Sequence, residues 1–234
     1  MFFKIICCTT LLTFMLTNQM VYAQSKKTTN EPMIWFELIE SIKLNDRFSA
    51  TLLYQHRTFL DREETYQNIY WVSGNMKLTK PLTVTAGLIY FQYHKLSSAN
   101  YLTVPEVRPF QAISYTTSVG SLKMSFRYML EERYLSKTNQ GEIVDGHNFN
   151  FRQRTRLRAY YPISEHFKLE LSEEFFLNGQ QMETDLFSQN RASMRVHYNL
   201  GDFNFNIGYL DWLVNTTNEL QHRHTLLVGM SHKI

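Results

Sequence analysis

The chain has 234 residues, 44% of them hydrophobic and 19% charged, with a formal net charge of +3 and a mean hydropathy of −0.32. Its length suits one domain, and 17 Phe, 14 Tyr and 3 Trp beside so small a net charge exclude an unfolded chain. No apolar run of about 18 residues or more follows the start, which excludes a helical membrane protein. At the N-terminus, Met1 to Lys4 form a short charged start and Ile5 to Leu16 an apolar stretch. Val21-Tyr22-Ala23 ahead of Gln24 forms a small-residue cleavage pattern. Residues 1–23 are therefore predicted to be a secretory signal peptide; the apolar part, about a dozen residues, is short of the ~20 that span a bilayer as a helix. Cys7 and Cys8 lie inside it, so the exported chain has neither a disulfide framework nor a thiolate metal site.

A polar N-terminal lead is predicted over 24–33, and from residue 34 to 234 the pattern has a period of two. Ile34, Phe36, Leu38, Ile42 and Leu44 share one face, against Glu37, Ser41 and Lys43. The next segment sets Phe48, Ala50, Leu52 and Tyr54 against Arg47, Ser49, Thr51, Gln55 and Arg57. Similar segments follow near 68–79, 82–95, 107–118, 122–135, 148–161, 167–178, 187–200, 203–214 and 222–234, eleven in all. Each runs to about 11–14 residues, where strands of ordinary globular proteins cluster near 5 or 6 and strands crossing an outer membrane need ~9–11.

The connections fall into two alternating classes. Tight turns are predicted at Asn45-Asp46, Lys80-Pro81, Val119 to Ser121, Pro162 to His166 and Gly201-Asp202. Longer polar loops are predicted at Asp61 to Gln67, Leu96 to Glu106, Ser136 to Gly146, Gly179 to Leu186 and Asn215 to Gln221. Short turns at one end and longer loops at the other describe an all-β, antiparallel up-and-down transmembrane β-barrel, located in the bacterial cell outer membrane. Tyr54, Tyr90, Tyr128, Phe149, Tyr161, Phe175, Phe187, Tyr198 and Phe203 lie toward strand ends, where such barrels carry aromatic girdles. A secreted lipocalin-like barrel, with the apolar face inward, is the competing fold, because alternation alone does not say which face points in. Single-chain bacterial barrels have even strand numbers, so the expected count is twelve (10–12), the extra strand drawn from the lead before Ile34.

The segment Asn148 to Tyr161 puts Arg152, Arg154, Arg156 and Arg158 on one side and Phe149, Phe151, Leu157, Ala159 and Tyr161 on the other. Four guanidinium groups two residues apart repel one another unless acids lie beside them. The flanking segments supply such acids: Glu131 with Lys123, Arg127 and Arg133 on one side, and Glu170 and Glu174 with Lys168 on the other. A turn centred on Ser164 sets Arg158 opposite Glu170 and Arg154 opposite Glu174, with Glu131 beside Arg154; Arg152 and Arg156 are less well matched, and Arg127, Arg191 and Arg195 add to the positive excess. One reading is a structural network that fills a small barrel. The other is a positive constriction for a small anionic solute, in a porin-like pore.

Other classes fit poorly. Arg-Gln-Arg-Thr-Arg-Leu-Arg is half apolar as a strand in an exported chain, which argues against nucleic acid. No histidine is followed at two residues by Ser, the spacing of barrel lipid hydrolases, so no enzyme is expected. His222 and His224 share a face without an evident third ligand, and no cofactor or metal is called for. Glu173 and Asp211 fall on the apolar face, which is costly in lipid and points to positions beyond the membrane band or at bulges.

Several short pieces occur together in order: Arg108-Pro109-Phe110-Gln111, Phe126-Arg127-Tyr128 through Glu132-Arg133, and Phe151-Arg152 through Arg158. They are followed by Glu173-Glu174-Phe175-Phe176 with Asn178, Gln189-Asn190-Arg191 and Gly208-Tyr209-Leu210. In these the chain resembles the domain of unknown function 2490 family, over about its C-terminal half, with only the pattern matching from Trp35 to residue 100. The resemblance implies an outer-membrane barrel and brings no activity or catalytic residue with it. Outer-membrane lipid and the barrel-assembly machinery are then the expected partners, with a small anionic solute as a third.

Overall fold

The computed structural model describes residues 26–62, 64–96, 101–179 and 186–234; the predicted signal peptide lies outside them. Alternating sequence becomes eleven strands. In chain order they are β1 (Lys27–Lys43), β2 (Phe48–Phe59), β3 (Thr65–Lys77), β4 (Leu82–Leu96), β5 (Tyr101–Val119) and β6 (Leu122–Asn139). Then come β7 (Glu142–Pro162), β8 (Phe167–Asn178), β9 (Phe187–Leu200), β10 (Phe203–Asn215) and β11 (Glu219–Lys233). Each pairs with its sequence neighbours antiparallel, and β1 pairs with β11 to close the barrel.

The closing seam corrects the expected twelve strands. Among the described residues there are eleven, and an odd meander can close only if its first and last strands run the same way. β1 and β11 do so, in a parallel register from Lys27↔Glu219 to Ser41↔Lys233. The lead therefore forms no extra strand: Lys27 to Pro32 are the first part of β1, and the predicted boundary at 34 moves back to 27. Pro32, which has no N–H to give the ladder, accepts Leu60 N through its carbonyl at 2.9 Å.

Five short connections lie at one end, hereafter the turn end, after β1, β3, β5, β7 and β9, where the sequence places them. Asn45 Oδ1 accepts the backbone N–H of Arg47 and of Phe48 at 2.9 Å each, and Gly120 and Gly201 supply positive φ in two-residue turns. The opposite, loop end departs from expectation. Ser136 to Gly146 is not a loop: β6 and β7 run on as ladder and turn at Gln140-Gly141, both at positive φ. Likewise β5 begins at Tyr101, inside the stretch expected to be a loop to Glu106, while the loop expected at Gly179 to Leu186 lies mostly outside the described residues.

The parity of the faces is also settled. The Arg-rich row of β7 points into the barrel, whereas Leu38, Leu52, Val72, Leu88, Leu171, Ile207 and Leu226 point outward and are exposed. A lipocalin-like arrangement has the opposite parity. The inward face is less uniformly polar than the sequence suggests: Trp35, Phe59, Ile69, Ile89, Phe91, Phe110, Phe176, Leu210 and Trp212 are buried inside.

Candidate functional site

The inward charges of β5 to β8 form a continuous alternating chain. Arg133 Nε reaches Glu106 Oε1 at 2.7 Å, and Glu106 Oε2 takes Arg108 Nη2 at 2.7 Å and the Tyr93 hydroxyl at 2.6 Å. Arg108 continues to Glu131 at 3.3 Å, Glu131 to Arg154 at 2.5 Å, and Glu174 joins Arg154 at 3.0 Å to Arg127 at 2.6 Å. Glu106 and Glu131 are both 0% exposed. Charges so enclosed are tolerable only while each is paired, and removing one carboxylate from such a chain costs about 3–5 kcal/mol because its partners stay buried.

Beside this chain the loop-end half of the lumen is filled by rings and guanidinium groups. Trp35 and Trp212 meet edge to face at 5.2 Å, and Arg57 lies 3.7 Å above the Trp35 ring while donating to Gln67 Oε1 and Gln55 Oε1. Arg191 stands 4.5 Å from Phe176 and 4.6 Å from Trp212; Arg108 covers Phe91 at 3.8 Å, and Arg223 covers Trp212 and Tyr66 at 4.7 Å each. A guanidinium packs flat on a ring more readily than an ammonium does, and each desolvated contact is worth up to about 2 kcal/mol. The layer closes the lumen toward the loop end.

Below it a cavity of about 520 Å³ opens toward the turn end. Its lining carries ten Lys and Arg against three Glu, Glu37, Glu170 and Glu174, interspersed with Ser and Asn. Arg158 is held by Glu170 at 3.0 Å and donates to the Tyr160 hydroxyl at 2.8 Å, and His197 bridges Glu170 and Asn204. Arg195 crosses from β9 to Glu37 on β1 at 3.0 Å. Gly208 gives it room: a Cβ there would lie 2.7 Å from Arg195 Cγ and 2.3 Å from the Met194 carbonyl. Arg156 makes no hydrogen bond or ion pair among the described residues.

The eleven residues of the expected charge network divide accordingly. Arg127, Glu131, Arg133, Arg154 and Glu174 lie on the alternating chain, Arg158 and Glu170 form a separate pair, and Arg195 pairs across the barrel. Among the described residues Arg152 donates only to Asn178 and Ser188, at 3.4 Å, and Arg191 to Gln189. The expected register is corrected. The β7–β8 turn is centred on Glu165, one residue later than Ser164, so Arg158 faces Ser172, Arg154 faces Phe176, and Glu174 faces Arg156. The pairs Arg158 to Glu170 and Arg154 to Glu174 form along diagonals, within reach of a long side chain.

Four charged residues of the site escaped sequence reasoning. Glu106 lies in a stretch that reads as a loop, Arg108 stands out only within a motif, Arg57 is held by the near neighbours Gln55 and Gln67, and Glu37 takes its partner Arg195 from a strand far away in sequence. On the outer face, Asp211 is bonded to His222 at 3.1 Å, His224 to Tyr209 and Asn30, and Glu173 to Asn190 at 2.5 Å. The acid near the His222–His224 pair, missed in the sequence, is thus its cross-strand neighbour. Neither Glu173 nor Asp211 sits at a bulge, the irregularity of that pairing falling at Phe176/Leu177.

A family model described as a protein of unknown function (DUF2490) matches residues 33–223. The chain belongs to this family. The DUF2490 match takes in β2 to β10 whole, the larger part of β1, the start of β11 and the whole alternating chain of charges. Among solved structures, the NanC porin in its rhombohedral crystal form is similar in fold. The TM-score is 0.50 at 14% identity, over 78% of this chain and 81% of that one. No curated protein matches the sequence.

Proposed function

We propose that this DUF2490 protein is an outer-membrane β-barrel serving as a small-solute channel for anions, and that its lumen is closed at rest by the layer of rings and arginines. The observation that carries the reading is the division of the strands into an exposed apolar outer side and an inner side that holds the network of charged and polar groups together with buried rings. A water-soluble barrel would expose a continuous belt of Leu, Ile, Val and aromatic side chains, which soluble monomers rarely do. Lipid accepts that belt, and outward polar residues such as His56, Asn68, Asp211 and His222 mark its upper edge. Barrels of this kind keep short turns in the periplasm, so the turn end is assigned to that side. The porin-like fold of NanC agrees with such a placement, and the surplus of lumen cations favours anions over cations. The proposal assigns no reaction to the chain.

The closed layer itself favours a second reading, a non-conducting barrel that binds a ligand or a partner. Planar-bilayer recording separates the two. The intact protein is expected to stay closed, and Trp212→Ala with Phe176→Ala, which removes the rings between the guanidinium groups, to give anion-selective steps. If that variant keeps its heat-modifiable gel migration and still conducts nothing, the channel reading fails. Recovery of the exported protein as a soluble periplasmic species would overturn the membrane placement.

A further inference from the structure

We propose that the turn-end cavity is a binding site for a small organic oxyanion, a carboxylate or a phosphate, seated on Arg156. The proposal takes its ligand charge from the anion-channel reading, but its ground is local. Every other arginine along the cavity already has a hydrogen-bonding partner: Arg127 and Arg154 hold Glu174, Arg158 holds Glu170 and Tyr160, Arg195 holds Glu37 and Asn206, and Arg57, Arg108 and Arg191 are held by amides, carboxylates and rings in the closed layer. Arg156 alone among them, over the described residues, makes none, although it points into the same space.

Its ladder neighbour Glu174 does not bond it. Arg156 stands between Arg127 and Glu174 in the ladder, and Glu174 turns Oε1 to Arg127 and Arg154. With Arg127 on one neighbouring strand and Arg158 two residues along its own, Arg156 is the centre of a cationic patch that the chain's own acids leave in surplus. A planar fork of donors matches the two oxygens of a carboxylate or phosphate. The volume, about 520 Å³, lies within the range of small-molecule sites, and Ser172, Ser193 and Asn206, on β8, β9 and β10 along the same cavity, offer hydrogen bonds to hydroxyls of the same ligand. Low local dielectric strengthens the attraction and penalises an uncharged competitor that leaves the cations unmatched.

The test is calorimetric titration of the detergent-purified full barrel with glucuronate, with inorganic phosphate, and with neutral glucose. Binding of glucuronate or phosphate but not glucose is expected, with at least a tenfold loss in Arg156→Ala, partial retention in Arg156→Lys and no change in Arg152→Ala, whose guanidinium bonds Asn178 and Ser188 and does not line the cavity. Glucuronate binding without phosphate binding assigns the site to carboxylates that carry hydroxyls; the reverse assigns it to phosphate. Absence of binding by both anions, equal binding of glucose, or binding that survives Arg156→Ala overturns the proposal. Unchanged heat-modifiable migration certifies that each variant is folded. The channel reading is judged separately: binding without conductance in the ring-deleted variant defeats the channel and keeps the site, whereas conductance without binding does the reverse.

Discussion

In the loop-end half of the lumen Arg57, Arg108 and Arg154 lie against rings and share amides or carboxylates, while in the turn-end half Arg156 lines open space and, among the described residues, makes no hydrogen bond or ion pair. The same side chain thus contributes to a seal in one place and offers free donors in the other. What differs is the neighbour set. The seal has Trp35, Phe91, Phe176 and Trp212 to take the flat faces of the guanidinium groups and Glu106 and Glu131 to take their edges. The open half has small hydroxyl and amide side chains, which leave volume, and too few acids.

The comparison can be broken most strongly from the sealed side. Glu131→Ala leaves Arg108 and Arg154 short of a carboxylate, and a loss of about 3–5 kcal/mol is expected, read as a large drop in the temperature at which the folded gel band is lost. A change of no more than a degree or two would mean that the chain of charges is not what holds this half together. Next in size, Gly208→Ala should cost about 1–3 kcal/mol through overpacking, because the new methyl meets backbone and the Arg195 stem. The accompanying sign is specific: anion binding in the open half should weaken as Arg195 is displaced from Glu37. At the turn end, Gly120→Ala places a Cβ at φ +60° and should cost about 1–2 kcal/mol, with no effect on binding. The smallest effect is expected for Arg156→Ala, within about 0.5 kcal/mol in stability, since no partner is left unpaired. A large destabilisation there would erase the distinction between the two halves.

Parity along each strand was legible in the sequence, and with it the fold: Arg152 to Arg158 against Phe151 to Tyr161 is a two-sided ladder on any register. Which acid meets which arginine was less so, because a one-residue shift of the turn centre, from Ser164 to Glu165, moves every partner by two. Glu106 was hidden because the stretch Leu96 to Glu106 reads as a polar loop although β5 begins at Tyr101, and Arg108 because its partner Glu106 lies in that same stretch. The sealing rings were visible as residues but not as a layer. Trp35 lies in β1 and Trp212 in β10, and only closure through β11 brings them to 5.2 Å. The odd strand count was present in the eleven segments, and a rule drawn from fully antiparallel barrels turned it into twelve.

The parallel seam also sets the wiring of the molecule. β1 starts at the loop end and β11 finishes at the turn end, where Ile234 N bonds the Ser41 carbonyl at 2.9 Å. In an even meander the first strand begins where the last one ends, and a few residues suffice to splice them. Here a circular permutant opened at any of the five turns would need a splice running the full height of the wall, roughly 50 Å for a 15-residue strand. The order of strands therefore favours one starting point: only at the seam that β1 and β11 already share can the barrel begin and end without such a splice.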